Sequence, residues 1–193
     1  MSDTSTTSPA KPSRLKTLGI RALSGIILLA ICGVPIYFGG WILAIFVALV
    51  SARVVYEWVR MSDPDALGAA QYSLFKTALF IPILGLWAAI AFAYVGHWAV
   101  ALSVVAMTGA LATIERLRRG GALWAGLGCL YVLLPSLAIL WVRGGVPGFE
   151  AAGFAKFMFI VMVVVTADTC AYLGGSTLGG PKMAPKISPN KTW

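Results

Sequence analysis

The sequence has little charge. Asp, Glu, Lys and Arg make up 11% of its 193 residues, and only seven of these are acidic. That is less than half the charged share of a soluble domain, which excludes an ordinary water-facing surface. Histidine occurs once and cysteine three times, with no CxxC spacing. Cys32, Cys129 and Cys170 each fall in an apolar run without a histidine neighbour. This argues against a zinc site or a disulfide framework, and the three read as small buried hydrophobes. Apolar residues, in contrast, are abundant: 59% of the chain, with a mean hydropathy of +0.86. The composition is that of an integral membrane protein. A net charge of +8 would suit nucleic acid. The basic residues, however, lie between long apolar runs rather than on one polar domain, so no nucleic-acid partner is expected.

Hydropathy marks six candidate transmembrane helices of about 17 to 22 residues, enough to cross roughly 30 Å of hydrocarbon. They cover Ala22–Phe38, Trp41–Val59, Thr77–Val95, Trp98–Ile114, Ala122–Val142 and Phe154–Leu173. Residues 1–20 read as a disordered polar and basic tail. Residues 21–175 form the six-helix domain, and 176–193 a polar loop. Gly39-Gly40 and Gly96-His97 mark tight turns, and "RMSDPDALGAAQ" is a polar loop. "LAIC" before Gly33 resembles a lipoprotein cleavage box, but Ile31 occupies the small-residue position, so the run is read as a retained helix. Lys11, Arg14, Lys16, Arg21, Arg60, Lys76, Arg116, Arg118, Arg119, Lys182, Lys186 and Lys191 share one side if the helices alternate. Arg143 and Lys156 take the other. The positive-inside rule then puts both termini in the cytoplasm. Trp41, Trp58, Trp98 and Trp141 sit near helix ends, as an interfacial belt requires. His97 reads as a turn residue. Pro35, Pro82 and Pro135 read as packed kinks. Arg53 and Glu57, spaced i,i+4, read as an ion pair near the cytoplasmic end of helix two.

The last helix carries the chemistry. In "KFMFIVMVVVTADTCAYLGG" a carboxylate, Asp168, interrupts a run of valines about one turn from the expected helix end. A charge there is costly unless it meets a cavity or a partner. Tyr172, at i+4, shares its face. "GGSTLGGPKMAPKISPNKTW" follows. It is not a P-loop: Pro181 stands where that motif needs Lys, and no strand precedes it. Its glycines still free backbone N–H groups for an anion. Lys182, Lys186 and Lys191 supply point charges, and Ser188 and Thr192 supply hydroxyl donors. Asp168 suits a divalent cation bridging phosphate oxygens. An ordinary positive-inside flank explains three lysines equally well, and spacing alone leaves the two readings open. "NKT" from Asn190 matches a glycosylation sequon, silent on a cytoplasmic face.

"ADTCAYLGGSTLGGPKMAPKISPNKTW" resembles the phosphatidate cytidylyltransferase family. That family carries D-T-x-A-Y at the end of a helix, a Gly-rich loop, and K-x-x-P-x-[IL]-S-P-x-K-T-W-E-G. Here Cys170 replaces the usual Gly. "RALSGIILLAICGVPIYFGG" and "YEW" around Glu57 resemble the family's first hairpin more weakly. The resemblance implies an all-α membrane enzyme of the bacterial inner membrane that converts CTP and phosphatidate to CDP-diacylglycerol and pyrophosphate, with Mg²⁺ or another divalent cation. It implies Asp168 as metal ligand, Asp168 and Lys191 as catalytic residues, and Lys182, Lys186, Ser188, Asn190 and Thr192 as substrate-binding residues. The family pattern continues with Glu-Gly, further helices and a second signature, so this chain is expected to hold the first two-thirds of such a protein and the first part of its site. Homo-oligomerisation stays open. Two alternatives are a multi-pass transporter, which six helices and an intramembrane Asp permit, and a non-catalytic membrane fragment. A CDP-alcohol phosphotransferase is disfavoured, because its Asp-Gly…Ala-Arg…Gly…Asp pattern is missing.

Overall fold

A computed structural model describes residues 14–62, 77–117, 120–177, 182–184 and 188–192. Among the described residues the fold is all-α: six helices followed by one small hairpin. The helices are α1 (Arg14–Phe38), α2 (Gly40–Ser62), α3 (Thr77–Tyr94), α4 (Trp98–Arg116), α5 (Ala122–Arg143) and α6 (Ala152–Thr177). The helices from α2 to α6 are long and apolar enough to cross a membrane, and α1 adds a shorter apolar stretch, Leu23–Phe38. The six spans read from hydropathy are therefore six helices. α1 starts at Arg14, inside the stretch expected to be disordered, because Arg-Leu-Lys are good helix formers that extend the apolar run. The rest of that tail lies outside the described residues, as does most of the polar loop after α2.

α2, α3, α4 and α5 form the packed core, while α1 leans on α2 and α6 on α5. The buried residues of α2 include Leu43, Val47, Ser51, Val55 and Val59. They lie four apart, which makes one continuous ridge along the helix. In a membrane such packing depends on close backbone approach rather than on the hydrophobic effect. Gly85 lies against Thr108, Gly126 against Thr113, and Gly128 against the Trp58 indole. At mid-bundle, Ser51 and Ser136 are hydrogen-bonded at 2.7 Å. The single Ser136 hydroxyl hydrogen goes to the Val132 carbonyl, so Ser51 is the donor to Ser136.

Neighbouring helices alternate in direction, and contacts at each end show it. At one end Arg116, closing α4, donates to the Ser62 carbonyl of α2, and Trp58 of α2 donates to the Trp124 carbonyl of α5. At the other end Arg143, closing α5, donates to the last carbonyls of α1. The turns at Gly39-Gly40 and Gly96 form as expected, with φ of 63°, 51° and 88°.

The closing segment differs from the loop expected there. β1 (Lys182–Ala184) and β2 (Ser188–Thr192) pair antiparallel, with Lys182 opposite Thr192 and Ala184 opposite Ser188. Only three residues separate the strands, short enough to close a hairpin.

Candidate functional site

Asp168 lies on α6 in an exposed stretch. α6 is apolar all round, and none of its membrane-length window is buried. Asp168, Thr169 and Tyr172 are exposed. The helix does not end near Leu173, as the sequence suggested. Gly174 and Gly175 continue it to Thr177, whose hydroxyl donates to the Leu173 carbonyl at 2.6 Å. Asp168 therefore lies about two and a half turns, or roughly 13 Å, from the helix end rather than one turn. A short polar hairpin follows within a few residues and carries Lys182, Ser188, Asn190, Lys191 and Thr192. The register sets Lys182 opposite Thr192. Lys186 lies outside the described residues.

Among the described residues, no group of three or more His, Cys, Asp or Glu side chains could hold a metal. On α6, Asp168 offers a hard carboxylate oxygen donor. That fits Mg²⁺ in its phosphate-binding role, where one or two carboxylates suffice and substrate oxygens complete the shell.

The structure also shows charged groups whose roles the sequence did not disclose. Arg116 is 4% exposed. Its Nη2 donates to the Ser62 carbonyl at 2.7 Å and its Nε to the Gly120 carbonyl at 3.2 Å. Thr77 donates to Glu115 Oε1 at 2.8 Å. Glu115, Arg116, Thr77, Trp58 and Cys129 line a cavity of about 20 Å³, room for about one water. At the opposite end Arg143 is 1% exposed. It donates to the carbonyls of Ile36, Tyr37 and Val146. Each of these arginines caps the C-terminus of a neighbouring helix, where a cation opposes the helix dipole. The sequence showed them only as topology charges. One signal was available: Arg143 is an arginine on the side where the positive-inside rule calls for few. Its charge is used internally.

Arg53 and Glu57 pair at 2.5 Å, as their spacing suggested. Both are well exposed, at 62% and 40%, and the Arg53 guanidinium also lies 4.9 Å from the Tyr56 ring centroid. His97 takes the N-cap position of α4 without a side-chain capping bond, consistent with a turn residue.

A family model described as "Cytidylyltransferase family" matches residues 19–193. A phosphatidate cytidylyltransferase of Brucella suis is 28% identical over 192 residues, covering 93% of this chain and 62% of that protein. One from Pseudomonas aeruginosa is 27% identical over 180 residues, covering 86% and 62%. One from Rickettsia bellii is 56% identical over 36 residues, covering 19% of this chain and 16% of that protein. The chain thus spans about 62% of the length of the longer-matching curated relatives. No solved structure matches.

Proposed function

Because this chain belongs to the cytidylyltransferase family, we propose that it takes part in cytidylyl transfer from CTP to phosphatidate, giving CDP-diacylglycerol and pyrophosphate. The family match carries this reading, since it runs through the stretch where an intramembrane-level carboxylate leads into a lysine-bearing hairpin. Relatives matched over most of the chain bear the name of that activity.

The chemistry follows from the charges. A phosphate oxygen of phosphatidate attacks the α-phosphorus of CTP, and the bond to the β-phosphate oxygen breaks. Two anions that repel in water must be aligned, and holding the lipid in its leaflet while the nucleotide sits beside it supplies that alignment. Lys182, Lys186 and Lys191 would contact the triphosphate and offset charge on departing pyrophosphate. Ser188, Asn190 and Thr192 would donate hydrogen bonds that orient it. Asp168 would hold Mg²⁺, directly or through water. The ion, when bound, supplies neutralisation of the phosphate oxygens. We assign Asp168 and Lys191 the catalytic roles.

In this reading the hairpin faces the cytoplasm, where CTP is found, and the protein is a multi-pass component of a bacterial-type inner membrane. The side with Arg60, Arg116 and the lysine hairpin is then the positive inside.

The test uses membranes carrying the protein, supplied with radiolabelled CTP, phosphatidate and Mg²⁺. Label should enter the lipid extract, and chelation of the metal should stop it. Asp168→Asn should abolish transfer while leaving membrane insertion intact. Undiminished transfer by Asp168→Asn would remove Asp168 from the site. An unlabelled lipid extract from inserted, folded protein would overturn the activity.

A further inference from the structure

Among the described residues, α6 packs on α5, its membrane-length window is unburied, and close contacts fix its first turn. A Cβ on Gly153 would overlap the Arg143 carbonyl, so α6 enters directly against the backbone that ends α5. Phe154 packs beneath the Arg143 guanidinium, 5.5 Å from its ring centroid. Phe154 also meets Phe149 edge-on at 5.2 Å, and Phe149 meets Tyr37 at 4.7 Å. Arg143 itself is held by carbonyls of Ile36, Tyr37 and Val146, and the Gly148 N–H donates to the Tyr37 carbonyl at 3.0 Å. One buried cation thus ties together the end of α1, the α5–α6 connection and the start of α6.

We propose that Arg143 is a positioning residue for the site half carried by α6, acting through Phe154 from the opposite end of the bundle. Phe154 and Asp168 lie fourteen residues apart on one helix, about 21 Å along its axis. A tilt of about 10° at the Arg143 hub moves Asp168 by almost 4 Å over such a lever, and about 1 Å of misplacement is enough to cost a reacting site 100-fold. The direction of α6, and with it the placement of Asp168 and the lysine hairpin, is set on the far side of the membrane. The catalytic consequence rests on the proposed cytidylyl transfer. The mechanical claim does not.

Spin-label distances in the full chain test it without nucleotide or lipid substrate. One label goes on Cys170, which is exposed, and one on Met61→Cys at the end of α2, with Cys32→Ser in the background. A second pair, Met61→Cys with Leu102→Cys in a Cys170→Ser background, reports the core bundle alone. Arg143→Gln should shift or broaden the 61–170 distance by several ångströms and leave the 61–102 distance unchanged. An unchanged 61–170 distribution overturns the proposal. So does an equal change in both pairs, which would make Arg143 a general stability residue. Should Arg143→Gln not fold, Phe154→Leu decides by the same two distances, since it removes the ring stacked on Arg143 but keeps an apolar side chain. Under the proposed activity, a variant with a displaced α6 should lose about 100-fold in kcat with little change in KM. A displaced α6 with normal turnover would overturn the catalytic half while leaving the lever in place.

Discussion

Two glycines in the core offer a matched test of how the bundle packs. Gly128 on α5 and Gly109 on α4 are both helical and both face neighbouring helices. Replacing either with Ala raises intrinsic helix propensity by about 0.5–1 kcal/mol. Their surroundings then separate them. At Gly109 a new Cβ meets the Gly126 carbonyl at 3.5 Å and Leu130 at 3.6 Å, ordinary van der Waals contact. At Gly128 it would overlap three atoms of the Trp58 indole. The ring must move, which costs about 1–3 kcal/mol of overpacking. Its hydrogen bond to the Trp124 carbonyl goes with it, a further loss of about 1 kcal/mol. Gly109→Ala should therefore be neutral or slightly stabilising, and Gly128→Ala destabilising by about 1–3 kcal/mol. Reversible unfolding in mixed micelles measures the difference. Equal stability of the two variants would refute the claim that Trp58 fills the space at Gly128.

Three further outcomes follow from the same contacts. Arg116→Gln strips a buried cation from the Ser62 and Gly120 carbonyls and should cost about 2–4 kcal/mol by the same unfolding measurement, against less than about 0.5 kcal/mol for the exposed Arg60→Gln. A double-mutant cycle on Ser51→Ala and Ser136→Ala should give a coupling of about 0.6 kcal/mol, the usual size for a hydroxyl pair between membrane helices; zero coupling would mean that the 2.7 Å contact contributes nothing to stability. An impermeant thiol reagent should label Gly148→Cys and Ser188→Cys from opposite sides of sealed vesicles, both in a background with the native cysteines replaced; labelling from the same side would break the alternation.

Much of the architecture was legible in the sequence because a membrane imposes simple periodic demands. Apolar length gave six helices, and glycine pairs gave the turns. Arg53 and Glu57 were recognisable as partners because helix geometry brings i and i+4 together without help from the fold. The end of α6 was misjudged for the converse reason. A Gly-Gly pair usually stops a helix, yet Gly174 and Gly175 stay helical and α6 runs on to Thr177. Arg116 and Arg143 were visible only as topology charges. Their long-range partners are backbone carbonyls 54 and 106 or 107 residues away in sequence, and a carbonyl leaves no trace in residue identity. The same limit hid Glu115, whose hydroxyl partner, Thr77, lies 38 residues away. The closing lysine segment was not legible as a hairpin, since its strands are too short to show period-two patterning.

The account rests most heavily on Asp168 and the lysine hairpin as a nucleotide site. Equilibrium binding of CTP to the purified protein, with and without Mg²⁺, tests that most directly. Saturable binding should strengthen with Mg²⁺ and weaken at least about tenfold, or 1.4 kcal/mol, in both Asp168→Asn and Lys191→Ala. Binding that ignores the metal and both substitutions would place the nucleotide elsewhere and contradict the site proposed here.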